Sequence, residues 1–392
     1  MIQGREENGC LIISLDGVID SSNAQSVEKK IRELCEAHHC ENIELDCDKL
    51  KYASSAGLRV FLRIIRDAAE TKITNVHSDL YEILDMTGFT DMADVRKAYR
   101  VISVEGCDVV GRGANGKVYR IDPDTIVKVY LNPDALQEIH RERELARLAF
   151  VAGVPTAIPY DVVRIENGGY GSVFELLDAN SFAQLLISGE KSLDEVAKMS
   201  IDLLKTIHSK EVRSEILPDM KAIALNWAGF LKDWLPADLY DKLLALISAV
   251  PEDAHLMHGD YHLKNIMVQN GEILLIDMDT ICHGHPIFEL ASMYNAYVGY
   301  GLVFPEKIQE FLGLPTETTH LFWRKSLEFY LGTADAAAID TVEARAKILG
   351  LMRLMRHVIR RGGMEREDGR RMVEACGAAL AELLPRVDTL TF

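Results

Sequence analysis

The chain has 392 residues, 48% of them hydrophobic and 26% charged, so it falls in the globular range and is long enough for two or three domains with separate cores. The formal net charge of -17 disfavours a general binder of nucleic acid or of an anionic membrane, because both kinds of partner require a basic face. The seven cysteines show no C-x-x-C spacing, so reduced thiols are expected. The N-terminus has no apolar signal region and the sequence has no apolar run of about 18 residues, which predicts a cytoplasmic protein.

Residues 1–103 alternate between strand-like and helical patterns, which predicts a compact α/β domain. Strands are expected at 10–15, 42–47 and 72–77, and amphipathic helices at 21–38, 56–70 and 78–88. Residues 95–108 are expected to form the last strand or tail of this domain and then a linker.

Within this domain a strand passes into a helix through Ala53, Ser54, Ser55 and Ala56. Either serine is suited to cap the helix N-terminus, which explains both without any function. A serine hydroxyl at this position is also a candidate phosphorylation site, because free backbone N–H groups and the helix dipole stabilise a phosphate. The residues alone leave both interpretations open.

The stretches GVIDSSNA (17–24) and IELDCDKLKYASSAGLRVFL (43–62) resemble the STAS domain of anti-sigma factor antagonists, and the resemblance covers essentially residues 1–100. In that family a serine just before the helix is phosphorylated by a partner kinase. The resemblance implies that Ser55 is the matching position, with Ser54 in place of the usual aspartate. It also implies a regulatory protein partner.

A glycine-rich segment follows at 109–121, and three kinds of nucleotide loop are compatible with its glycines. A Walker A loop is disfavoured because Val118 occupies the position of the Mg²⁺-binding Ser or Thr. A Rossmann loop is disfavoured because the residues after the glycines predict a β-hairpin rather than a helix. A kinase-type loop, G-x-G-x-x-G-x-V, is matched in full by Gly111, Gly113, Gly116 and Val118.

Lys128 lies in the third strand of this region, and a helix is expected over 133–150. In a kinase such a lysine contacts the α- and β-phosphates of the nucleotide and pairs with a helix glutamate. Glu142 is favoured as its partner over Glu144, because leucines follow Glu142 at core spacing. A solvent-facing lysine and a solvated acidic helix face are the alternatives.

The stretch HGDYHLKNIMVQNGEILLIDMD (258–279) places polar residues at both ends of a predicted hairpin. A hairpin brings its ends together, so Asn265 and Asp277 can face one metal ion, with Asp260 upstream. This layout suits phosphoryl transfer, where an aspartate orients the acceptor hydroxyl and an Asn and a second Asp hold Mg²⁺. The alternative is an acidic loop beside a core hairpin.

Together with the glycine loop and Lys128, the pattern H-G-D-x-x-x-x-N resembles the aminoglycoside phosphotransferase and choline kinase branch of the protein-kinase-like fold, over about 104–300. The resemblance implies ATP and Mg²⁺ as cofactors, Asp260 as catalytic base, Asn265 and Asp277 as Mg²⁺ ligands and Lys128 as the phosphate-binding lysine. It implies a structural role for His258. Asp279 is a candidate second-metal or loop-ordering residue.

The expected fold is therefore an α/β STAS-like N-terminal domain, 1–103, plus an α+β bilobal protein-kinase-like domain, 104–392. Its N-lobe is expected at about 104–180, and its C-lobe, about 181–392, is largely helical. The arginines of the C-lobe helix are expected to form a solvated face, with docking of a phosphate-bearing partner as the alternative. They are Arg353, Arg356, Arg360 and Arg361.

The predicted function is an ATP- and Mg²⁺-dependent phosphotransferase with a hydroxyl acceptor, either a protein serine such as Ser55 or a small molecule. One alternative is a small-molecule kinase of the aminoglycoside or choline type that the STAS-like domain regulates. The other is a non-catalytic pseudokinase scaffold for signalling proteins. The sequence does not predict the acceptor, the domain arrangement or the oligomeric state.

Overall fold

The computed structural model describes residues 2–7, 9–38, 42–113, 115–177, 179–212 and 217–392. They fall into two compact units. The first comprises Met1–Val104 and Val162–Gly168, and the second comprises Glu105–Asp161 and Gly169–Phe392.

The first unit is built on a sheet whose strands lie in chain order. The strands are β1 (Gln3–Glu7), β2 (Cys10–Ile19), β3 (Asn42–Ala53), β4 (Glu70–Val76) and β5 (Asp94–Lys97). The helices are α1 (Ala24–His38), α2 (Ser55–Asp67) and α3 (Ser78–Met86). The β1–β2 pair is antiparallel and the other neighbours are parallel, with each helix connecting two parallel strands.

The core of the first unit follows from the two side-chain periodicities. In β2 the alternate residues Leu11, Ile13 and Leu15 are buried, and in α2 Phe61 and Ile64 are buried at helical spacing. The strands β2 and β3 run further than their sequence patterns predict, because they stay paired through a bulge up to the start of α2.

Six short strands follow α3 and β5 along the chain, two before the glycine loop and four after it. They are β6 (Arg100–Ile102), β7 (Val109–Arg112), β8 (Gly116–Asp122), β9 (Thr125–Tyr130), β10 (Asp161–Ile165) and β11 (Tyr170–Glu175). In the second unit β7, β8, β9 and β11 form an antiparallel sheet in that order. Strands β6 and β10 pair in parallel, which explains why 162–168 group with the first unit.

The rest of the second unit is mainly helical. Its helices, with the one that follows β9, are α4 (Leu136–Val151), α5 (Phe182–Ile187), α6 (Leu193–His208), α7 (Met220–Gly229), α8 (Ala237–Ser248), α9 (Ile287–Tyr297), α10 (Glu306–Leu312), α11 (Thr316–Leu331), α12 (Ala336–Arg360) and α13 (Glu367–Leu383). Among the helices in the described ranges, none is both long and apolar enough to cross a lipid bilayer.

Short strands in the helical part of the second unit flank the loop of residues 258–265. They are β12 (Asn180–Ser181), β13 (Leu256–Met257), β14 (Ile266–Gln269), β15 (Glu272–Leu275) and β16 (Cys282–His283). The β14–β15 hairpin turns at Asn270 (φ 52°) and Gly271 (φ 83°), the pair of left-handed residues that a tight two-residue hairpin turn requires.

Helix α9 lies at the centre of the helical core, and every one of its residues is buried. An apolar helix is stable only when it is packed on all sides. The long helix α12 packs against α9 and α13, so α9 provides a rigid support for the loop between β13 and β14.

Candidate active site

The loop between β13 and β14 contains His258, Asp260 and Asn265. The backbone N–H of Asp260 donates to His258 Nδ1 at 3.3 Å, while His258 Nε2 lies 3.1 Å from the carbonyl oxygen of Ile276. With a proton on Nε2, both contacts are hydrogen bonds. His258 therefore connects this loop to the end of strand β15.

A buried carboxylate also orders the loop. Glu289, on α9, accepts hydrogen bonds from the backbone N–H groups of His258 at 2.6 Å, Gly259 at 3.1 Å and Tyr261 at 3.4 Å. Burial raises the pKa of Glu289, and His258 and these N–H groups partly offset the rise. Local spacing indicates no role for Glu289, although an acidic residue among the mostly apolar residues of α9 is a detectable signal.

Gly259 is required by a close backbone contact. Its φ is +80°, and a Cβ atom there would lie 2.3 Å from the carbonyl oxygen of Thr280. The Thr280 hydroxyl donates to the carbonyl oxygen of His258 at 2.8 Å. The His258–Asp260 loop and the turn after Asp277 are thus held directly against each other.

The Asp260 carboxylate lies between two basic side chains. His262 Nε2 is 3.5 Å from Oδ2, and Arg353 Nη2 is 3.7 Å from Oδ1. Burial would raise the pKa of Asp260, but His262, Arg353 and His258 outweigh it and hold this pKa well below its usual value. Asp260 is therefore ionised at neutral pH, and with 39% of the side chain exposed it is accessible to a ligand.

Asn265 is buried beside Asp260. Its side-chain Nδ2 donates to the carbonyl oxygen of Asp260 at 3.1 Å, and its own carbonyl accepts from Ile276 N–H at 3.0 Å. Among the residues that the structure describes, its amide oxygen has no hydrogen-bond partner. That oxygen is available as a ligand for a cation.

Lys128 connects the sheet of the second unit to the β14–β15 hairpin. Its Nζ donates to Glu142 Oε1 at 2.8 Å and to Asp277 Oδ1 at 2.7 Å. Burial would lower the pKa of Lys128, but the charges of Asp277 and Glu142 raise it above its ordinary value. Glu144 instead pairs with Arg147 on the surface, so the partner of Lys128 is Glu142.

Asp277 and Asp279 bring two carboxyl groups into one turn. Asp277 has a left-handed backbone (φ 66°, ψ 61°), which is uncommon for a residue other than glycine and marks local strain. Burial, followed by the charge of Asp277, raises the pKa of Asp279 to about 7, and Asn115 Nδ2 donates to Asp279 at 3.3 Å. Two crowded carboxyl groups beside the Asn265 amide oxygen suit a hard divalent cation.

The glycine loop lies at the β7–β8 turn, where Gly113 N–H donates to the carbonyl oxygen of Gly116 at 2.9 Å. A Cβ on Gly116 would lie 2.4 Å from the carbonyl oxygen of Val129, so the strands approach too closely for a side chain. Gly111 packs against Val118, and Val118 lies opposite Lys128 in the β8–β9 register. Ala114 lies outside the described residues.

Ser54 and Ser55 of the first unit have different environments. Ser54 is the N-cap of α2, and its side chain accepts from Ala56 N–H at 3.2 Å. Ser55 is the first residue of the helix and is exposed. The cap is therefore Ser54, and the Ser55 hydroxyl is accessible.

The expectation of a solvated arginine face on α12 is wrong at Arg353. Its side chain is only 25% exposed, and its Nη1 donates to the carbonyl oxygen of Gly259 at 2.9 Å. The guanidinium also stacks on Trp227, 5.3 Å from the ring centroid. Sequence spacing cannot show this, because 94 residues separate Arg353 from Gly259.

Residues 107–317 match the family described as "Phosphotransferase enzyme family", and residues 1–101 match the STAS domain. The chain is 28% identical over 92 residues to a protein of Bordetella bronchiseptica named as an anti-sigma factor antagonist. That alignment covers 22% of this chain and 78% of the relative.

Similar solved structures include the ADP-bound aminoglycoside phosphotransferase APH(2'')-Ib, at 17% identity with a TM-score of 0.49, covering 80% of this chain and 99% of that one. A thermostable mutant of aminoglycoside phosphotransferase APH(4)-Ia is 14% identical with a TM-score of 0.49, covering 71% of this chain and 95% of that one. Both family resemblances and the expected fold class are confirmed by the family matches. Because the phosphotransferase match spans more than half of the 392 residues, the chain belongs to the Phosphotransferase enzyme family, with a STAS domain before that match.

Proposed function

We propose that the second unit transfers the γ-phosphoryl group of ATP, with Mg²⁺, to a hydroxyl acceptor. The observation that carries this proposal is the connected set of contacts in which Lys128 pairs with both Glu142 and Asp277. Asp260 and Asn265 precede the first strand of the same hairpin, beside the end of its second strand. These are the side chains that phosphoryl transfer needs, since its catalysis consists mainly of positioning and charge neutralisation.

Asp277 and Asn265 would hold the metal ion, with Asp279 as a further carboxylate in the same turn. Within the described part of the chain, no group of three or more His, Cys, Asp or Glu side chains is set to hold a metal by itself. This agrees with Mg²⁺, which keeps several water ligands and is completed by phosphate oxygens of the substrate. When bound, Mg²⁺ would neutralise charge on the β- and γ-phosphates.

Lys128 and the glycine loop would position the nucleotide. The ion pair with Glu142 holds the Lys128 ammonium in one place, and Gly113 and Gly116 in the β7–β8 hairpin carry backbone N–H groups without side chains that would obstruct phosphates. Similar solved structures include complexes with ADP, with GDP and with ATP. Comparing turnover with ATP and with GTP therefore tests which purine nucleotide the site prefers.

Asp260 would orient the acceptor hydroxyl and take its proton. The hydroxyl oxygen forms a bond to the γ-phosphorus while the bond from that phosphorus to the bridging oxygen breaks, and ADP leaves with the bonding electrons. The depressed pKa makes Asp260 a weak base. It therefore accepts the proton late, when bond formation to phosphorus has made the hydroxyl acidic.

The proposed chemistry suits two classes of acceptor, a protein serine and a small alcohol. Ser55 is exposed at the start of α2, where the helix N-terminus favours a phosphate, so it is an available acceptor for this or another kinase. Related structures contain kanamycin or gentamicin, which supports the small-molecule class. The STAS match supports a regulatory protein partner for the first unit.

The test is Asp260→Asn, compared with Asp202→Asn at an exposed helix position. We expect Asp260→Asn to lower phosphoryl transfer by about 10²–10⁴-fold while Mg–ATP affinity stays near that of the wild type. ADP release gives the rate, and mass spectrometry of Ser55 after incubation with ATP identifies autophosphorylation. Undiminished turnover in Asp260→Asn would exclude the assigned role, and failure of the wild type to bind Mg–ATP would favour the scaffold alternative.

A further inference from the structure

Four arginines lie close together in the sequence at the C-terminal end of α12. Arg353, Arg356 and Arg360 follow one another at intervals of three and four positions, the spacing of neighbours on a helix surface, and Arg361 is the residue that ends the helix. We refer to these four residues as the arginine face.

Most of the arginine face is unpaired. Arg353 contacts Asp260 and the carbonyl oxygen of Gly259. Within the described ranges, no carboxylate lies within 4.0 Å of the guanidinium groups of Arg356, Arg360 or Arg361.

Arg356 is held in place although it has no counter-charge. Its guanidinium carbon lies 5.1 Å from the ring centroid of Trp227 and 5.9 Å from that of Phe230. Its Nε is buried without a hydrogen-bond partner among the described residues. The two aromatic rings thus fix the guanidinium plane without a carboxylate partner among the described residues, and its charge stays available to an anion.

The electrostatics of the arginine face show the same lack of compensation. Burial lowers the pKa of Arg356, and the neighbouring charges of Arg360, Arg353 and Arg361 lower it further. Like charges that are held together in this way repel each other, and a bound anion would remove that repulsion.

Arg353 places the arginine face beside Asp260, because its Nη2 lies 3.7 Å from Asp260 Oδ1 and its guanidinium stacks on the same Trp227 ring as that of Arg356. Burial raises the pKa of Tyr300, the charges of Arg353 and Arg361 lower it, and the charge of Asp260 raises it. The hydroxyl of Tyr300 is thus within electrostatic reach of both the proposed base and the arginines. An acceptor at Asp260 has cationic groups beside it.

We propose that the arginine face is an anion subsite for the phosphoryl acceptor, which is a small alcohol that also carries a phosphate or a carboxylate. This rests on the proposed function and names its substrate class. The guanidinium groups of Arg356, Arg360 and Arg361 bind the anionic group, and the hydroxyl of the same molecule faces Asp260.

The arginine face disfavours the other acceptor classes. A cationic alcohol would be repelled by the unpaired guanidinium groups. Ser55 has Lys51 and Arg59 four residues away on either side and no adjacent acidic residue, so it offers no negative charge to this subsite. A phosphate or carboxylate instead gains charge-assisted, bidentate hydrogen bonds from arginine.

The test is a binding titration that requires no turnover. With Mg–ADP saturating the nucleotide site of the full chain, inorganic phosphate, acetate and choline are added separately while tryptophan fluorescence is recorded. Trp227 stacks on Arg353 and Arg356, so an anion at this face changes its emission, and Trp227→Phe removes the change. The relative affinities of phosphate and acetate identify the anionic group.

We expect saturable binding of at least one anion and none of choline. Arg356→Gln should weaken anion binding by about tenfold or more, and Arg360→Gln, at an exposed position, serves as a second variant with little risk to folding. Arg386→Gln is the matched control, because Arg386 is exposed and paired with Glu382.

The inference is overturned if neither anion binds saturably at millimolar concentration, or if Arg356→Gln and Arg360→Gln both bind anions as the wild type does. ATP turnover is measured on the same preparations. Intact turnover without anion binding overturns this inference alone, whereas intact anion binding without turnover overturns the proposed function alone.

Discussion

Lys128 and Arg356 are both partly buried cations of the second unit, and they differ in their surroundings. Lys128 is 15% exposed and contacts the carboxylates of Glu142 and Asp277. Arg356 stacks on Trp227 and has no carboxylate within 4.0 Å among the described residues. One cation is neutralised within the chain, and the other is not.

The difference indicates two uses of a buried charge. Neutralised charges at the proposed nucleotide site hold side chains in fixed positions, which is the requirement for positioning phosphates. At the proposed acceptor subsite, arginines without a carboxylate partner among the described residues keep their charge available for a ligand. Two other buried titratable groups are compensated in different ways. Backbone N–H groups satisfy the charge of Glu289, and His208 is buried as a neutral ring.

The largest effect is expected where a satisfied buried charge is removed. In Glu289→Gln, an amide that also carries donors would face the N–H groups of His258, Gly259 and Tyr261, so we expect the free energy of unfolding to fall by about 3 kcal/mol. Urea unfolding monitored by tryptophan fluorescence measures it, because all tryptophans of the chain belong to the second unit. Glu252→Gln, at an exposed carboxylate, is the control. Equal effects of the two substitutions would mean that Glu289 does not anchor the loop.

A smaller effect is expected from releasing Lys128 while the fold is kept. Among the described residues, Glu142→Gln leaves Lys128 paired with Asp277 alone. If Lys128 binds phosphate as proposed, we expect kcat/KM for ATP to fall by about 100-fold, or about 2.7 kcal/mol, because the ammonium group is misplaced. Glu144→Gln, two residues away at a glutamate that pairs with Arg147, should stay within a few-fold of the wild type. Steady-state kinetics with varied ATP measures both, and similar losses in both variants would contradict the assignment.

The smallest effect concerns His208, which faces Tyr330 at 2.7 Å from its Nδ1. Burial, followed by the charge of His255, lowers the pKa of His208 from 6.5 to about 3. The unfolded chain therefore takes up this proton first, and the second unit loses stability as the pH falls below about 6.5. We expect His208→Gln to reduce the slope of unfolding free energy against pH by up to about 1.4 kcal/mol per pH unit between pH 6 and pH 4. The exposed His320→Gln serves as control, and an unchanged slope in His208→Gln would refute the assignment.

Much of the candidate site was predictable because its residues lie at the ends of short, regular elements. Asn265 and Asp277 flank a hairpin whose turn residues are recognisable, and Lys128 lies in an alternating strand two strands after the glycine loop. The choice between Glu142 and Glu144 was also accessible, since only the residue on the buried face of α4 can reach Lys128.

Glu289 and Arg353 were not identified as site residues, because their importance depends on which distant backbone groups they meet. Glu289 contacts residues 28 to 31 positions away, and Arg353 contacts one 94 positions away. No local pattern specifies such partners. A single acidic residue in an apolar helix and a stripe of arginines are only indications that a partner exists.

The sequence by itself determined the division into a STAS domain and a phosphotransferase domain, the glycine loop and the H-G-D-x-x-x-x-N pattern, because these depend on local periodicity, turn residues and short spacings. Only the tertiary structure decided which charges are neutralised. The packing of α4, α9 and α12 places Lys128 next to carboxylates and places Arg356 next to none among the described residues. Packing brings together residues that no local rule connects.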